Sequence, residues 1–448
     1  MNPFRRLPPS SIPLPLIGHL HLLGKQPHHA IFKLYKKYGP VMRLKMGSVE
    51  GVVLTGPETL HEAFVANDQL FINRFQRDSR LIWNHGENIA TSNGDYNRYV
   101  RSIALKSIVP IKIKKMEGAI NQEIVGLCDK FAEIAKTGQP IDPIRYIKLC
   151  SLNIIFRFLF SKSYPYNIED KSVSKFVDFI ETTFTLAGKA FPSDFLHFIK
   201  PLFMKTAVAH QYMDANKKIG DFIETIIDER LEHFSEENEK DPKDILDAYL
   251  AEYKAGNITK QGLICIFYDL VLAGVDTSAN TVSALLKLVC NRPDIQEGLY
   301  DELKALISGN PTLNDKQIAP YTNAVIRETL RRYCVVPLGI PHSASEDCEF
   351  KGYFIKKGSQ IIQNINGSML GEEFWDEPLE FKPERFMGEA NQHNIARVKF
   401  TFGAGPRNCL GTSLAENELF LMVAYLFKRF RFESTTPGEL IDDTMFSV

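Results

Sequence analysis

The sequence predicts a mainly α-helical fold with a small β lobe, built as one large domain around a long buried helix. Three observations predict it. From about 57 to 246, apolar residues recur three and four apart, the spacing of helices that bury one face. Residues 261–291 carry only three charges, on Asp269, Asp276 and Lys287, so that helix is apolar on all sides and belongs in a core. Strand-like runs are confined to 41–54 and roughly 339–365.

The elements follow in order. The chain opens MNPFRRLPPSSIPLPLIGHL, where Pro8, Pro9, Pro13 and Pro15 enforce a stiff, extended arm within 1–27. HHAIFKLYKKY, 28–38, has helical periodicity and stops at Gly39-Pro40. Two short strands, 41–46 and 51–54, flank a turn. Helices follow, punctuated by Pro110, Pro143, Pro165, Pro192 and Pro201. The mixed-charge run 228–244 reads as a solvated helix end and loop. A helix over 261–291 spans roughly 45 Å, the width of a domain. Length alone suggests roughly three domains, but such a helix argues for a single unit over 28–448. Helices at 293–308 and 315–333, the second strand segment and a helix beginning near Leu410 complete the chain.

Hydrophobic residues at 44% and charged residues at 24% provide ample material for a large core. Lys+Arg number 53 against 54 Asp+Glu, a net charge of −1 that excludes a nucleic-acid binder driven by overall charge. Seven scattered cysteines without a CxxC pair exclude a disulfide framework or zinc knuckle. No run approaches the ~20 consecutive apolar residues of a membrane span, and the N-terminus lacks a signal-peptide pattern. The aromatics, 31 Phe and 16 Tyr against 2 Trp, indicate a large apolar interior.

The segment FGAGPRNCLG, 402–411, carries the chemistry. Glycines at 403, 405 and 411 around Pro406 make a turn whose backbone amides approach an atom closely. Cys409 stands where the turn enters a helix, so nearby amides favour a thiolate. Arg407 adds a fixed positive charge able to hold a carboxylate through two hydrogen bonds. With no zinc-partner residue nearby, a lone thiolate suits a single axial bond to haem iron. One or two of these residues would mean only a glycine turn beside a buried cysteine. The whole pattern means more.

F-x-x-G-x-R-x-C-x-G, met at Phe402, Gly405, Arg407, Cys409 and Gly411, resembles the signature of the cytochrome P-450 haem-thiolate monooxygenases. AGVDT, 273–277, resembles that family's oxygen-activating helix, RETLR its E-x-x-R pair at Glu328 and Arg331, and FKPERF the segment whose Arg385 joins that pair. The proline arm resembles the hinge behind the membrane anchor of microsomal members. The likeness covers nearly the whole chain. It implies a single-domain P-450 fold with haem b beneath the central helix and Cys409 as iron ligand. Arg407, Arg101 and His342 are implied at the haem propionates, with Phe402, Gly405, Ala273 and Gly274 around the macrocycle. The family's G-x-x-W-x-x-x-R helix is met at Gly94 and Arg101, but Asn97 stands where tryptophan is usual, leaving Tyr96 or Arg98 to substitute.

Each match also has a physical reading. Glu328 and Arg331, three apart on a helix, share a face, and Arg385 would place one carboxylate between two guanidiniums. Thr277 can return its hydroxyl to the carbonyl of Ala273, and Gly274 weakens the helix there, so a kink or widening is expected. The resemblance assigns Thr277 and Asp276 to proton delivery; a carboxylate in an apolar helix needs a partner or linked water.

Residues 98–115 hold Arg98, Arg101, Lys106, Lys112, Lys114 and Lys115 with no acid, a patch suited to steering an acidic flavoprotein, the NADPH-cytochrome P-450 reductase. By resemblance the substrate pocket is lined by the loop before Gly94, Phe184, Phe191, the central helix, Val336 and Leu338. It suits a sterol, fatty acid or xenobiotic. The rival reading is a non-oxygenating haem-thiolate isomerase or dehydratase, or a gas sensor; a lost threonine would favour it, and Thr277 is present. The resemblance further implies the cytosolic face of the endoplasmic reticulum membrane, with the anchor and the terminal strands outside this sequence.

Overall fold

The computed structural model describes residues 6–79, 86–167, 171–188, 191–436 and 441. Its axis is the central helix, Lys260–Asn291, which starts where the Thr259 hydroxyl accepts the Gly262 amide at 2.8 Å. Apolar on most sides, it is long and hydrophobic enough to cross a membrane, yet here it is the core of the fold, mostly buried. It packs lengthwise on the helix Pro143–Phe160, itself buried at nearly every position from Tyr146 onward. Gly274 permits that approach, because a Cβ there would lie 2.2 Å from Cγ1 of Ile155. The helix runs unbroken through the expected kink, so packing, not weakening, explains this glycine. Nor is it buried all round: Ala273 is exposed, and what it faces is an internal cavity.

The C-terminal helix, Thr412–Arg429, adds a continuous buried run from Glu418 to Phe427. With the helices Glu117–Lys136, Pro293–Leu306 and Pro320–Arg332 it closes one large apolar core. The expected helix over 315–333 is divided: Asp315–Gln317 forms a 3₁₀ turn, and Pro320, which cannot continue a helix, starts the next.

The β lobe holds β1 (Val41–Arg43), β2 (Gly51–Leu54), β3 (Asn73–Arg74), β4 (His342–Ser343) and β7 (Gln360–Gln363) in the order β1-β2-β7-β4-β3. β2 and β7 are parallel, Gly51 opposite Gln360; the other pairs are antiparallel. The pairing of β3 with β4 sets Arg74 beside His342. A separate hairpin, β5 (Cys348–Phe350) and β6 (Tyr353–Ile355), lies alongside. β1 stops short of Met46, which turns back to bridge Val49. The proline arm is pinned to this lobe: Arg43 donates its amide to the Pro9 carbonyl at 2.9 Å, and Lys45 to the His19 ring at 2.9 Å.

Candidate functional site

Between the central helix and the start of the C-terminal helix lies a cavity of about 750 Å³. The 402–411 turn forms its floor. Cys409 donates its amide to the Phe402 carbonyl at 2.7 Å, and Asn408 to Gly405 at 3.1 Å, so the turn closes on itself. Gly405 has φ +67°, and a Cβ there would lie 1.7 Å from the Phe64 carbonyl oxygen; no other residue fits. Cys409 alone of the seven cysteines is exposed, and it is exposed to the cavity. Its sulfur is still deep in the protein, so burial pushes its pKa up despite the Gly411 amide, the Thr412 hydroxyl and Arg101, which pull it down. The turn's amides alone therefore do not produce the expected preference for a thiolate: burial outweighs them.

Three arginines edge the cavity. Arg407 donates to the carbonyls of Ser92 at 3.0 Å and Ala90 at 3.2 Å, and Arg101 to the Asn408 carbonyl at 2.6 Å. Arg74, which sequence reading missed, donates to the carbonyls of Ile340 at 2.5 Å and Arg407 at 2.9 Å. No local pattern marks it: the strand register that places it beside His342 exists only in the fold. Burial first, then Arg101, lowers the Arg407 pKa to about 10, so it remains a cation. Among the described residues neither Arg101 nor Arg407 has a carboxylate partner.

His342 departs from its expected role as a cation. Its Nδ1 donates to the Phe71 carbonyl at 2.6 Å, and burial, with Arg74 and Arg407 nearby, drives its pKa well below the ordinary value. It is neutral, and its buried Nε2 has no hydrogen-bond partner among the described residues. Neither Tyr96 nor Arg98 reaches the cavity: Tyr96 turns to the Glu87 carbonyl and Arg98 pairs with Asp95. Asn97 spends its amide on Ile89 and Ser92, bracing the loop before its helix.

Above the floor the central helix presents Ala273, Gly274 and Thr277 to the cavity. The Thr277 hydroxyl donates to the Ala273 carbonyl at 2.7 Å. Asp276 points away, into the helix Pro143–Phe160, where Lys148 lies 3.2 Å from its carboxylate. Burial raises the Asp276 pKa, and Lys148 offsets this only in part. Phe184, Val336 and Leu338 line the cavity. Phe191 does not: it faces a satellite cluster, its ring 4.9 Å from Phe203 and 5.1 Å from Tyr212. Of the loop before Gly94, residues 80–85 lie outside the described residues.

A second missed residue is Glu418, on the buried face of the C-terminal helix. It lines the cavity, accepts hydrogen bonds from Ser151 at 2.8 Å and Ser278 at 3.1 Å, and has its pKa raised by burial to about 7. Behind the floor, Arg331 holds Glu328 by two hydrogen bonds of 2.7 and 2.8 Å, with both side chains fully buried. Arg385 adds a third at 3.2 Å and the Lys382 amide a fourth at 2.9 Å. Arg331 also reaches the carbonyls of Met369 and Pro378, tying this helix to the segment before the 402–411 turn.

These residues fit haem. Arg101 and Arg407, without carboxylate partners among the described residues, suit the acid groups of a bound macrocycle, and Cys409, the one exposed cysteine, suits its iron. A family model, Cytochrome P450, matches residues 8–448. Three Dictyostelium discoideum proteins are similar along almost their whole length. Probable cytochrome P450 555A1 is 36% identical over 95% of this chain and 89% of its own. Probable cytochrome P450 513F1 is 34% identical over 96% and 90%, and probable cytochrome P450 513A1 is 35% identical over 96% and 89%. A cysteine-bearing glycine turn, a central helix over it and a family match over residues 8–448 leave one conclusion: the chain belongs to the cytochrome P450 family of haem-thiolate monooxygenases.

Proposed function

We propose that the chain inserts one oxygen atom of O2 into an apolar organic substrate, a sterol, fatty acid or xenobiotic, with electrons drawn from NADPH through a separate reductase. The observation that carries this reading is the single cavity that joins Cys409 below to Thr277 above within mainly apolar walls. Haem b, when bound, supplies the reduction and activation of dioxygen, with a thiolate ligand favouring O–O cleavage.

The chain's own residues do the rest. Cys409 Sγ holds the iron, and Phe402 and Gly405 keep the turn in reach of it. Arg74, Arg101 and Arg407 would neutralise the propionates, while His342, neutral and outside the cavity wall, holds the Phe71 carbonyl instead. Ala273, exposed to the cavity, would leave room beside the helix for a diatomic ligand, while Gly274 lets the helix close on Ile155 at the same level. Thr277 can release its bond to Ala273 and pass a proton at Oγ1. Asp276, whose raised pKa suits it to carry a proton, is connected through Lys148 to Glu181, half exposed at the surface. The Glu328–Arg331–Arg385 network holds architecture rather than chemistry.

Lys106, on Arg101's own helix, and Lys112, Lys114 and Lys115, on the next, are exposed, and Arg101 itself touches Asn408 beside Cys409. This supports docking of an acidic reductase on the cysteine side, with a smaller patch than the sequence implied, since Arg98 is paired and Arg101 faces the cavity. Exposed Ile12, Leu14 and Leu16 on the arm, and Phe198 and Leu202 near the 47–48 turn that bonds Phe195, support residence at the cytosolic face of the endoplasmic reticulum membrane.

The test is the reduced, CO-bound absorption spectrum, followed by NADPH turnover with a reductase at low and high salt. A thiolate-shifted Soret band and salt-weakened, reductase-dependent product formation are expected. A Soret band without that shift sinks the reading.

A further inference from the structure

Glu418 is a carboxyl in the cavity wall, 1% exposed, that no cation answers among the described residues. Two hydroxyls meet it instead: Ser151 donates to Oε1 at 2.8 Å and Ser278 to Oε2 at 3.1 Å. Ser278 departs here from its neighbours on the central helix. Thr277, Thr281 and Ser283 return their hydroxyls to the carbonyl four residues back, at 2.7, 2.9 and 2.7 Å. Ser278 gives its hydroxyl to Glu418.

A hydroxyl both donates and accepts, so the two serines satisfy Glu418 in either state. Both donate to a carboxylate, and one can rotate to accept from a carboxylic acid. A proton can therefore come and go without leaving a buried atom unpaired. Burial raises the Glu418 pKa to about 7, the two serines pulling the other way. The other titratable groups around it are engaged or neutral. On the helix Pro143–Phe160, Lys148 holds Asp276 and Glu181, and Arg157 holds Glu123. Burial keeps Cys128, Cys150 and Tyr166 protonated. On Glu418's own helix, Glu416 is answered by Lys316 at 3.8 Å and by Arg327. Elsewhere along the cavity, Asp269 holds the Ala90 amide, and Arg74, Arg101 and Arg407 edge the floor.

Placement couples Glu418 to the chemistry. Its helix begins at Thr412, three residues past Cys409, and the helical rise sets Glu418 roughly 9 Å along the axis from that start. Cys409, Thr277 and Glu418 line one cavity. An electron delivered to a group held by Cys409 adds a negative charge there. At an effective dielectric constant of about 20, a unit charge roughly 10 Å away changes a carboxylate's proton affinity about tenfold. The effect needs no contact, only closeness and a wall that excludes water.

We propose that Glu418 takes up a proton when haem held by Cys409 gains its first electron from the reductase. One electron enters at the iron, and one proton from solvent forms an O–H bond on a Glu418 carboxylate oxygen, so the net charge of the cavity is unchanged. This rests on the monooxygenase reading of the same cavity. The test is redox titration of the haem-loaded protein with soluble mediator dyes over about pH 6–9, beside infrared difference spectra of the reduced and oxidised states. In the parent the potential is expected to fall as pH rises over roughly one unit above pH 7, and a protonated-carboxyl band to appear on reduction. Glu418→Gln keeps an amide for both serines but cannot ionise; it is expected to lose that band and to flatten the slope about twofold or more. A parent whose potential ignores pH there, or that gains no carboxyl band, overturns the proposal even where the variant fails to fold. An unchanged slope or band in folded Glu418→Gln also overturns it. A role in packing alone would move neither readout. The CO-bound spectrum of the same sample reports separately on the haem-thiolate reading, so the two can fail independently.

Discussion

The Lys148 ammonium lies 3.2 Å from the Asp276 carboxylate, and both side chains are only 4% exposed. The same ammonium lies 3.0 Å from Glu181, whose side chain is 56% exposed. A carboxylate one residue from Thr277 is thereby joined to the surface through a single buried lysine. Without that lysine Asp276 would be a lone charge in an apolar helix pair.

Breaking the pair from the lysine side should therefore be costly. Lys148→Met is expected to destabilise the protein by roughly 3–5 kcal/mol, because it leaves Asp276 buried and unpaired. Adding Asp276→Asn should restore most of that loss. Denaturant unfolding of the parent, both single variants and the double variant measures it; a double variant no more stable than Lys148→Met alone would contradict the coupling.

Thr277 bears on turnover rather than stability. Its hydroxyl bonds only within its own helix, to Ala273, so Thr277→Ala should unfold within about 1 kcal/mol of the parent. NADPH consumption should continue while product falls and hydrogen peroxide rises. Unchanged coupling of NADPH to product would remove Thr277 from proton delivery.

Two glycines should respond differently to alanine. At Gly405 the Cβ meets the Phe64 carbonyl oxygen at 1.7 Å with φ at +67°, so backbone must move. Gly405→Ala is expected to lose haem uptake and roughly 3 kcal/mol or more. At Gly274 the obstacle is the Ile155 side chain, 2.2 Å away. Gly274→Ala should cost about 1–3 kcal/mol, and Ile155→Ala in the same chain should relieve part of it. Thermal unfolding of the pair and the double variant shows whether relief occurs.

Glu418 sets a pH signature. Burial raises its pKa to about 7 in the folded protein, above the 4.5 of the free side chain. A raised carboxyl pKa favours folding below about pH 4.5, and that contribution is lost as pH rises through about 7. Glu418→Gln cannot ionise, so its stability relative to the parent should climb across that window by roughly 3 kcal/mol and then level off. Parallel stability–pH curves for the two proteins would show that Glu418 does not titrate there.

Much of the site could be read from residue order because its parts are local. A turn with glycines at 403 and 405 and a cysteine at 409 is specified within ten residues, and Glu328 and Arg331 share a helix face by spacing alone. Arg74, Lys148 and Glu418 were not legible, since each acquires meaning from a partner far along the chain: Arg407, Asp276, and Ser151 with Ser278. Phe191 shows the converse. Aromatic residues at helical spacing carry no label for which side faces a cavity, and its ring packs outward on Phe203 and Tyr212.

By itself the sequence carried the motifs that mark the family and the cysteine proposed to hold iron, and it determined a single large domain threaded by one apolar helix, because glycine turns and helical periodicity are local consequences of residue type. Only the tertiary structure decided protonation and contact. It made His342 neutral between Phe71, Arg74 and Arg407, raised the Cys409 thiol's pKa by burial, and turned Asp276 onto Lys148 instead of the cavity. Burial and nearby charge are properties of assembled neighbours, and no spacing along one chain states what those neighbours will be.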